Sequence, residues 1–209
     1  MFLRIANIHF VYFLFPFLIT IFTSKILPQL NTKRIVITGG PGTGKTSIIN
    51  ELIHRDFICL EEISRQVTLD AREQGIEQLF LTQPLLFSEM LLNGRKAQFE
   101  VAKTLESQVV FLDRGIPDVL AYMNFIGDDY PETFEITCKE HRYDQVFILA
   151  PWQDIYVSDS ERYENFDQAI EIHEHLIKTY SKFGYDLLDV PFESVRKRTD
   201  FILNSMTSF

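Results

Sequence analysis

The sequence is short of the residues that serve nucleic acids, structural metals or an oxidising compartment. Only two cysteines occur in 209 residues, Cys59 and Cys138. They lack metal-ligand spacing and make no disulfide framework, which points to a reducing setting. Cys59, inside the apolar run Phe57-Ile58-Cys59-Leu60, reads as a buried small hydrophobe. Basic charge is scarce too, with 20 Lys and Arg against 29 Asp and Glu and a formal net charge of −9. A nucleic-acid partner is not expected, because neutralising phosphates takes clustered Lys and Arg and no basic stripe is present. No Asn-Lys-x-Asp guanine-reading motif occurs, and there is no internal repeat or low-complexity linker. The length suits one domain with a sizeable core.

One stretch lacks charge altogether. Ile5 to Thr23 contains no Lys, Arg, Asp or Glu and is dense in Phe, Leu and Ile, with Pro16 in its middle. It meets the rough ~18-residue threshold of a membrane span. Arg4 before it and Lys25, Lys33 and Arg34 after it would keep the remainder cytoplasmic. A cleaved signal peptide fits less well, since no clear small-residue cleavage site follows. A third reading is that residues 1–30 do not belong to the natural protein, because Asn31-Thr32-Lys33-Arg34 looks like a domain start. The chain is thus read as an apolar extension over 1–30, anchor or artefact, and one domain over 31–209.

What is present is a phosphate-binding loop. Ile35-Val36-Ile37 is β-branched throughout and too short for a helix, so it reads as a buried strand. The chain then runs Gly39-Gly40-Pro41-Gly42-Thr43-Gly44-Lys45-Thr46-Ser47, and Ile48, Ile49, Leu52 and Ile53 follow at helical spacing. Gly39, four residues, Gly44, Lys45 and Thr46 complete the P-loop pattern in its required strand–loop–helix context. Glycines let backbone N–H groups turn inward onto phosphate oxygens, and the helix N-terminus aims its positive end at the same anion. Lys45 is expected to reach the β and γ phosphates, and the Thr46 hydroxyl to hold Mg²⁺.

Further site candidates end the later strands, where ligands of open α/β sheets collect. Phe57 to Leu60 reads as a second strand ending on Glu61-Glu62, and Glu62 and Arg65, three apart, are expected to share a helix face. Glu62 is a candidate base for a substrate hydroxyl and Arg65 a substrate clamp. The competing reading is a solvated helix start that favours acids. Val109-Val110-Phe111-Leu112-Asp113 has the Walker B shape, with Asp113 binding Mg²⁺ directly or through water. Arg114 follows, then Gly115-Ile116-Pro117 as a turn into a helix.

Pro84 suits the first turn of a helix reaching about Glu106, on which Arg95 and Lys96 read as solvating charges. Tyr143 to Leu149 reads as the fourth strand. Trp152 to Tyr163 lies where small kinases keep a lid, and Arg162 is its candidate for a transferring phosphoryl group or, alternatively, a surface partner of Asp159 or Glu161. Asn165 with Gln168 opens a helix whose face runs Phe166, Ala169, Ile170, His173, Leu176, Ile177, Tyr180 and Phe183, closed by Gly184. His173 is expected at the core edge and His175 in solvent. Two apart, they make a poor metal pair. Asp186 to Val190 reads as a fifth strand and Phe192 to Met206 as a last helix.

The GGPGTGKT loop, Glu62-Ile63-Ser64-Arg65, the FLDRGIPD segment at 111–118 and Asp159, Arg162 and Glu164 together resemble an AAA-like ATPase domain family. That family is grouped with the ribosylnicotinamide kinase domain of bacterial NAD-regulator proteins. The resemblance covers about 33–206 and leaves out residues 1–30. It implies a P-loop NTPase fold, a parallel five-stranded sheet flanked by helices, as in nucleotide kinases, with ATP and Mg²⁺. The expectation is a phosphotransferase acting on a small nucleoside-like acceptor, with Lys45, Glu62, Asp113 and Arg162 catalytic and Arg65 and Arg114 on the acceptor. The rival expectation is an ATP-hydrolysing switch that regulates a protein partner. An oligomeric AAA+ machine is not expected, since little chain follows the fifth strand for its helical lid domain.

Overall fold

Short β-branched and aliphatic runs make the strands of this chain, and glycine, proline or charge stops them. The computed structural model describes residues 32–73, 75–76, 78–156 and 164–206. Its strands are β1 (Lys33–Gly39), β2 (Ile58–Leu60), β3 (Val109–Asp113), β4 (Gln145–Leu149) and β5 (Leu187–Val190). They form one five-stranded parallel sheet in the order β2-β3-β1-β4-β5. Parallel neighbours require crossover connections, which the helices supply. These are α1 (Lys45–His54), α2 (Ser64–Glu73), α3 (Leu79–Thr82), α4 (Pro84–Thr104), α5 (Ile116–Ile126), α6 (Glu132–Glu140), α7 (Phe166–Lys182) and α8 (Val195–Ser205).

Strand alternation sorts the core into two layers. Ile35 and Ile37 turn to one face with Phe111, Phe147 and Leu149, and are covered by Ile48, Ile49 and Leu52 of α1 and Ile202 of α8. Val36 turns to the other with Leu112, Val146 and Ile148, under residues of α2, α4, α5, α6 and α7. Burying one such side chain contributes about 1.5–3 kcal/mol, so these layers hold the strands in register. In that register Ile37 stands opposite Asp113 and Gly39 opposite Leu149. The loop after β1 therefore lies at the middle of the carboxyl edge, with the ends of β2 and β3 on one side and those of β4 and β5 on the other.

Several boundaries agree with the sequence expectation and others move. β3 spans Val109–Asp113 as expected, and Pro84 opens α4. Asn165 caps α7, accepting from the Gln168 amide at 2.9 Å while the Gln168 side chain accepts from the Asn165 amide. The buried face of α7, however, runs through Ala169, Ile172, Leu176, Thr179 and Tyr180, leaving Ile170 and Ile177 exposed. The i, i+3, i+7 stripe is fixed by packing on α5, which the apolar pattern alone does not reveal. His175 is not solvated but half-buried, edge-on to the Phe125 ring. Cys59 is only half-buried, because β2 is an edge strand. The last helix begins at Val195 behind its cap Ser194 rather than at Phe192, which stacks on Trp152. α6 carries a weak sequence signal, since amid its charges only Phe134 and Cys138 are buried. Among the described residues no helix is long and apolar enough to cross a membrane, and the 5–23 stretch lies outside them.

Candidate active site

The loop between β1 and α1 can be built only from the residues it has. At Gly39 the backbone takes φ +151° and runs so close to β4 that a Cβ would stand 2.6 Å from the Leu149 carbonyl oxygen. Gly44 adopts the left-handed conformation as the N-cap of α1, and among the described residues no side chain caps that helix end by a hydrogen bond. The first-turn N–H groups of Lys45, Thr46 and Ser47 are thus left to a ligand, the arrangement that binds anions. Lys45 Nζ folds back to donate to the Gly40 carbonyl at 2.7 Å, and the Thr43 hydroxyl donates to the same oxygen at 3.0 Å. Burial, and then the neighbouring Arg114, bring the Lys45 ammonium down to about 7 against the pull of Asp113, Glu62 and Asp118.

On the β4–β5 side the loop opens into a cleft of about 400 Å³, a size that takes small ligands. Gly42 to Ser47 form one wall; Trp152, Ile155, Glu193, Ser194, Val195 and Arg198 form the rest. Trp152 stacks on Phe192 with ring centroids 5.3 Å apart, giving the cleft an aromatic edge. Thr46 and Ser47 are exposed to it.

On the β2–β3 side lies a compact set of charges. Glu62 is half-buried two residues before α2, with Oε1 3.5 Å from Arg114 Nε and 3.8 Å from Arg95 Nη2. Burial pushes its carboxyl up, but Arg114 and then Arg95 overcome this and hold it at about 2. Asp113 is buried at the end of β3, and among the described residues its Oδ1 has no hydrogen-bond partner. Desolvation raises its carboxyl above the usual range, opposed by Lys45 and Arg114.

Arg114 owes its place to a backbone turn. Its φ of +74° is rare outside glycine and swings the side chain beneath the P-loop, where Nη1 donates to the Gly39 carbonyl at 3.2 Å. Asp118, fully buried, sits 3.5 Å from the same Nη1. It also accepts from the Thr38 hydroxyl at 2.6 Å, the Gly115 amide at 2.9 Å and the Tyr180 hydroxyl. β1, α5 and α7 are tied by this one carboxylate.

The structure thus brings Lys45, Glu62, Asp113 and Arg114 together. Glu62 and Arg65 do not share a helix face, since α2 starts only at Ser64, and Arg65 is exposed in its first turn. The buried arginine beside Glu62 is instead Arg95, which donates to the Gly115 carbonyl at 2.8 Å and is 4 % exposed, not a solvating charge. Arg95 shares a buried face with Leu91, Leu92 and Phe99 of α4, a periodicity that marks it. Arg198 likewise escapes the sequence reading; its signal is Ile202, one turn on and fully buried. Arg162 and Asp159 lie outside the described residues.

The architecture recurs among solved proteins. Deoxyadenosine kinase from M. mycoides superposes with a TM-score of 0.64 at 16% identity, over 84% of this chain and 100% of that one. The NadR protein in complex with NR gives 0.66 at 18% identity, over 83% of this chain but 51% of that one. Thymidylate kinase from Ehrlichia chaffeensis gives 0.56 at 15% identity, over 84% and 99%. At such identities the likeness establishes the nucleotide-kinase type of P-loop fold. No curated protein matches the sequence. A family profile described as AAA domain matches residues 34–198, and the chain belongs to that AAA-domain family of P-loop proteins.

Proposed function

We propose that this protein is a kinase that transfers the γ-phosphoryl group of ATP to a hydroxyl of a small, nucleoside-like acceptor. One observation carries the reading. The P-loop is flanked by two different sites, an aromatic-edged cleft toward β4–β5 and the Glu62–Arg95–Arg114 cluster toward β2–β3. Hydrolysis asks the phosphate end only to hold the metal and orient a water; a carboxylate set between two buried arginines there suits a larger hydroxyl acceptor. The deoxyadenosine and thymidylate kinases that share the fold support this reading.

In this reading the base lies against Trp152 and Ile155 and the phosphates lie on the Gly39–Thr46 loop, with Lys45 on the β and γ groups. Mg²⁺ fits the residues present: the unpartnered Oδ1 of buried Asp113 and the exposed Thr46 hydroxyl are hard oxygen donors beside the loop. Bound there, it would neutralise β and γ phosphate oxygens. Glu62 accepts a hydrogen bond from the acceptor hydroxyl and orients it. Held at about 2, Glu62 is a weak base, so the hydroxyl proton passes to its carboxylate late, as the new O–P bond forms and the O–P bond to the ADP leaving group breaks. Arg114 balances charge developing on the transferred group, with Arg162 as a further candidate. In this reading Arg65, exposed at the start of α2, serves the outer part of an acceptor.

The test is ADP release by residues 31–209 with Mg²⁺–ATP, alone and with a panel of nucleosides that includes ribosylnicotinamide. A large acceptor-dependent rise with a phosphorylated product is expected. Slow release unmoved by any acceptor would instead favour a nucleotide switch acting on a protein partner.

A further inference from the structure

Among the described residues three arginines are buried around the P-loop, and one of them has no acid beside it. Arg95 and Arg114 both approach Glu62, and Arg114 also meets Asp118. Arg198 of α8 is equally buried, 2 % exposed, yet among the described residues it forms no ion pair. Its Nη2 donates to the Thr43 carbonyl at 3.0 Å, while its Nε is buried with no hydrogen-bond partner among the described residues. A lone buried cation is costly unless something compensates it. The Trp152 ring, 5.8 Å from the guanidinium carbon, offsets part of the charge. A full counter-charge is still missing.

Its surroundings say where the counter-charge comes from. Arg198 lines the same cleft as Lys45, Thr46 and Ser47. It packs so tightly behind the loop that a Cβ on Gly44 would lie 2.9 Å from Nη1. The unpartnered Nε–H of a buried guanidinium and the uncapped N-terminus of α1 therefore meet at one place, and both favour an anion.

We propose that Arg198 is a second cation of the nucleotide phosphate site, bracing the P-loop through Thr43 and binding the phosphate chain from the α8 side. The inference rests on reading this cleft as the nucleotide site, and it holds for kinase and switch alike. Lys45 serves the end of the chain where transfer takes place. Arg198, beside the aromatic edge, serves the end nearer the nucleoside.

Trp152 is the single tryptophan of the chain and lines the cleft, so its fluorescence reports binding directly. Adenosine, ADP and inorganic pyrophosphate are titrated into the wild-type chain and into Arg198→Met and Arg198→Lys. Without the charged hydrogen bond from the guanidinium, ADP and pyrophosphate should each bind Arg198→Met about ten- to a hundredfold more weakly. Adenosine should be unaffected, and Arg198→Lys should recover part of the affinity. Equal weakening of adenosine and ADP, or no change, would mean that Arg198 only props the loop and would overturn the proposal. If Arg198→Met does not fold, the wild-type protein decides. The Arg198 Nε–H resonance should move with ADP or pyrophosphate and stay in place with adenosine, and an unmoved resonance would reject the proposed phosphate binding. Wild-type protein that binds none of the three would instead defeat the reading of the cleft itself.

Discussion

Lys45 is turned back on its own loop, its Nζ 2.7 Å from the Gly40 carbonyl oxygen to which it donates. With a longer contact of 3.5 Å to the Thr43 hydroxyl, that hydrogen bond holds an ammonium that burial and Arg114 have brought down to about 7. Phosphates arriving at the loop favour the charged form and raise it again. Binding must then take up a proton wherever the empty site has lost one, above pH 7. We expect Mg²⁺–ATP affinity to be level below pH 7 and to fall as pH rises beyond it. Calorimetry at pH 8 in two buffers of different ionisation enthalpy should show uptake approaching one proton. Lys45→Ala should abolish both the uptake and turnover.

Glu62 presents the opposite electrostatics, a carboxylate kept ionised by two arginines in spite of its burial. Glu62→Gln keeps the shape and removes the charge. Its expected effect is ATP affinity within about twofold of wild type, and transfer to the acceptor lowered about a hundredfold or more, the usual scale for removal of a hydroxyl-orienting group. Full transfer by this variant would refute the role. The stability effect has a definite sign. The folded carboxyl titrates at about 2 against an ordinary 4.5, so its contribution is present above pH 4.5 and lost as pH falls toward 2.

The parts legible in the sequence are those whose chemistry is local. Gly39 to Thr46 carries its own geometry, since the glycines, the lysine and the helix behind them act within one turn of each other. Asp113 closes an apolar run on the strand beside β1, and Asn165 and Gln168 cap α7 within a single turn. Arg95 and Arg198 are illegible for the converse reason. Arg95 follows Gly94 and precedes Lys96, and Arg198 follows Arg196 and Lys197, so each reads as one more solvated charge. Their partners, Gly115 and Glu62 for one and Thr43 for the other, are brought close only by the parallel sheet. The low titration of Glu62 is likewise a property of the folded cluster.

Arg95 offers a check on the acceptor side that leaves the P-loop alone. Arg95→Met removes the donor to Gly115 and one of the two cations on Glu62. We expect the acceptor KM to rise by about tenfold or more while the ATP Kd stays put, because a charged hydrogen bond contributes about 1.5–3 kcal/mol. Arg95→Lys should restore charge but not the planar fork that reaches Gly115 and Glu62 together, and so recover KM only in part. A shift in ATP affinity of the same size would count against an acceptor role.

Asp118 and Tyr180 provide the sharpest test of what holds the site in place. Tyr180 donates to Asp118 from α7, and the same carboxylate accepts from Thr38, next to the P-loop, and from the Gly115 amide at the entry to α5. Asp118→Ala would strand those donors and leave Arg114, among the described residues, with Glu62 as its remaining ion-pair partner. Breaking a buried ionic partner of this kind costs about 3–5 kcal/mol, which urea unfolding would register as a lower midpoint at unchanged slope. Tyr180→Phe removes one donor to that carboxylate and should cost about 1.5–3 kcal/mol. Because the two side chains share a bond, the double variant should be less destabilised than the sum of the singles. Strict additivity would mean that the two act independently, and that α7 does not help to position Arg114 beneath the loop.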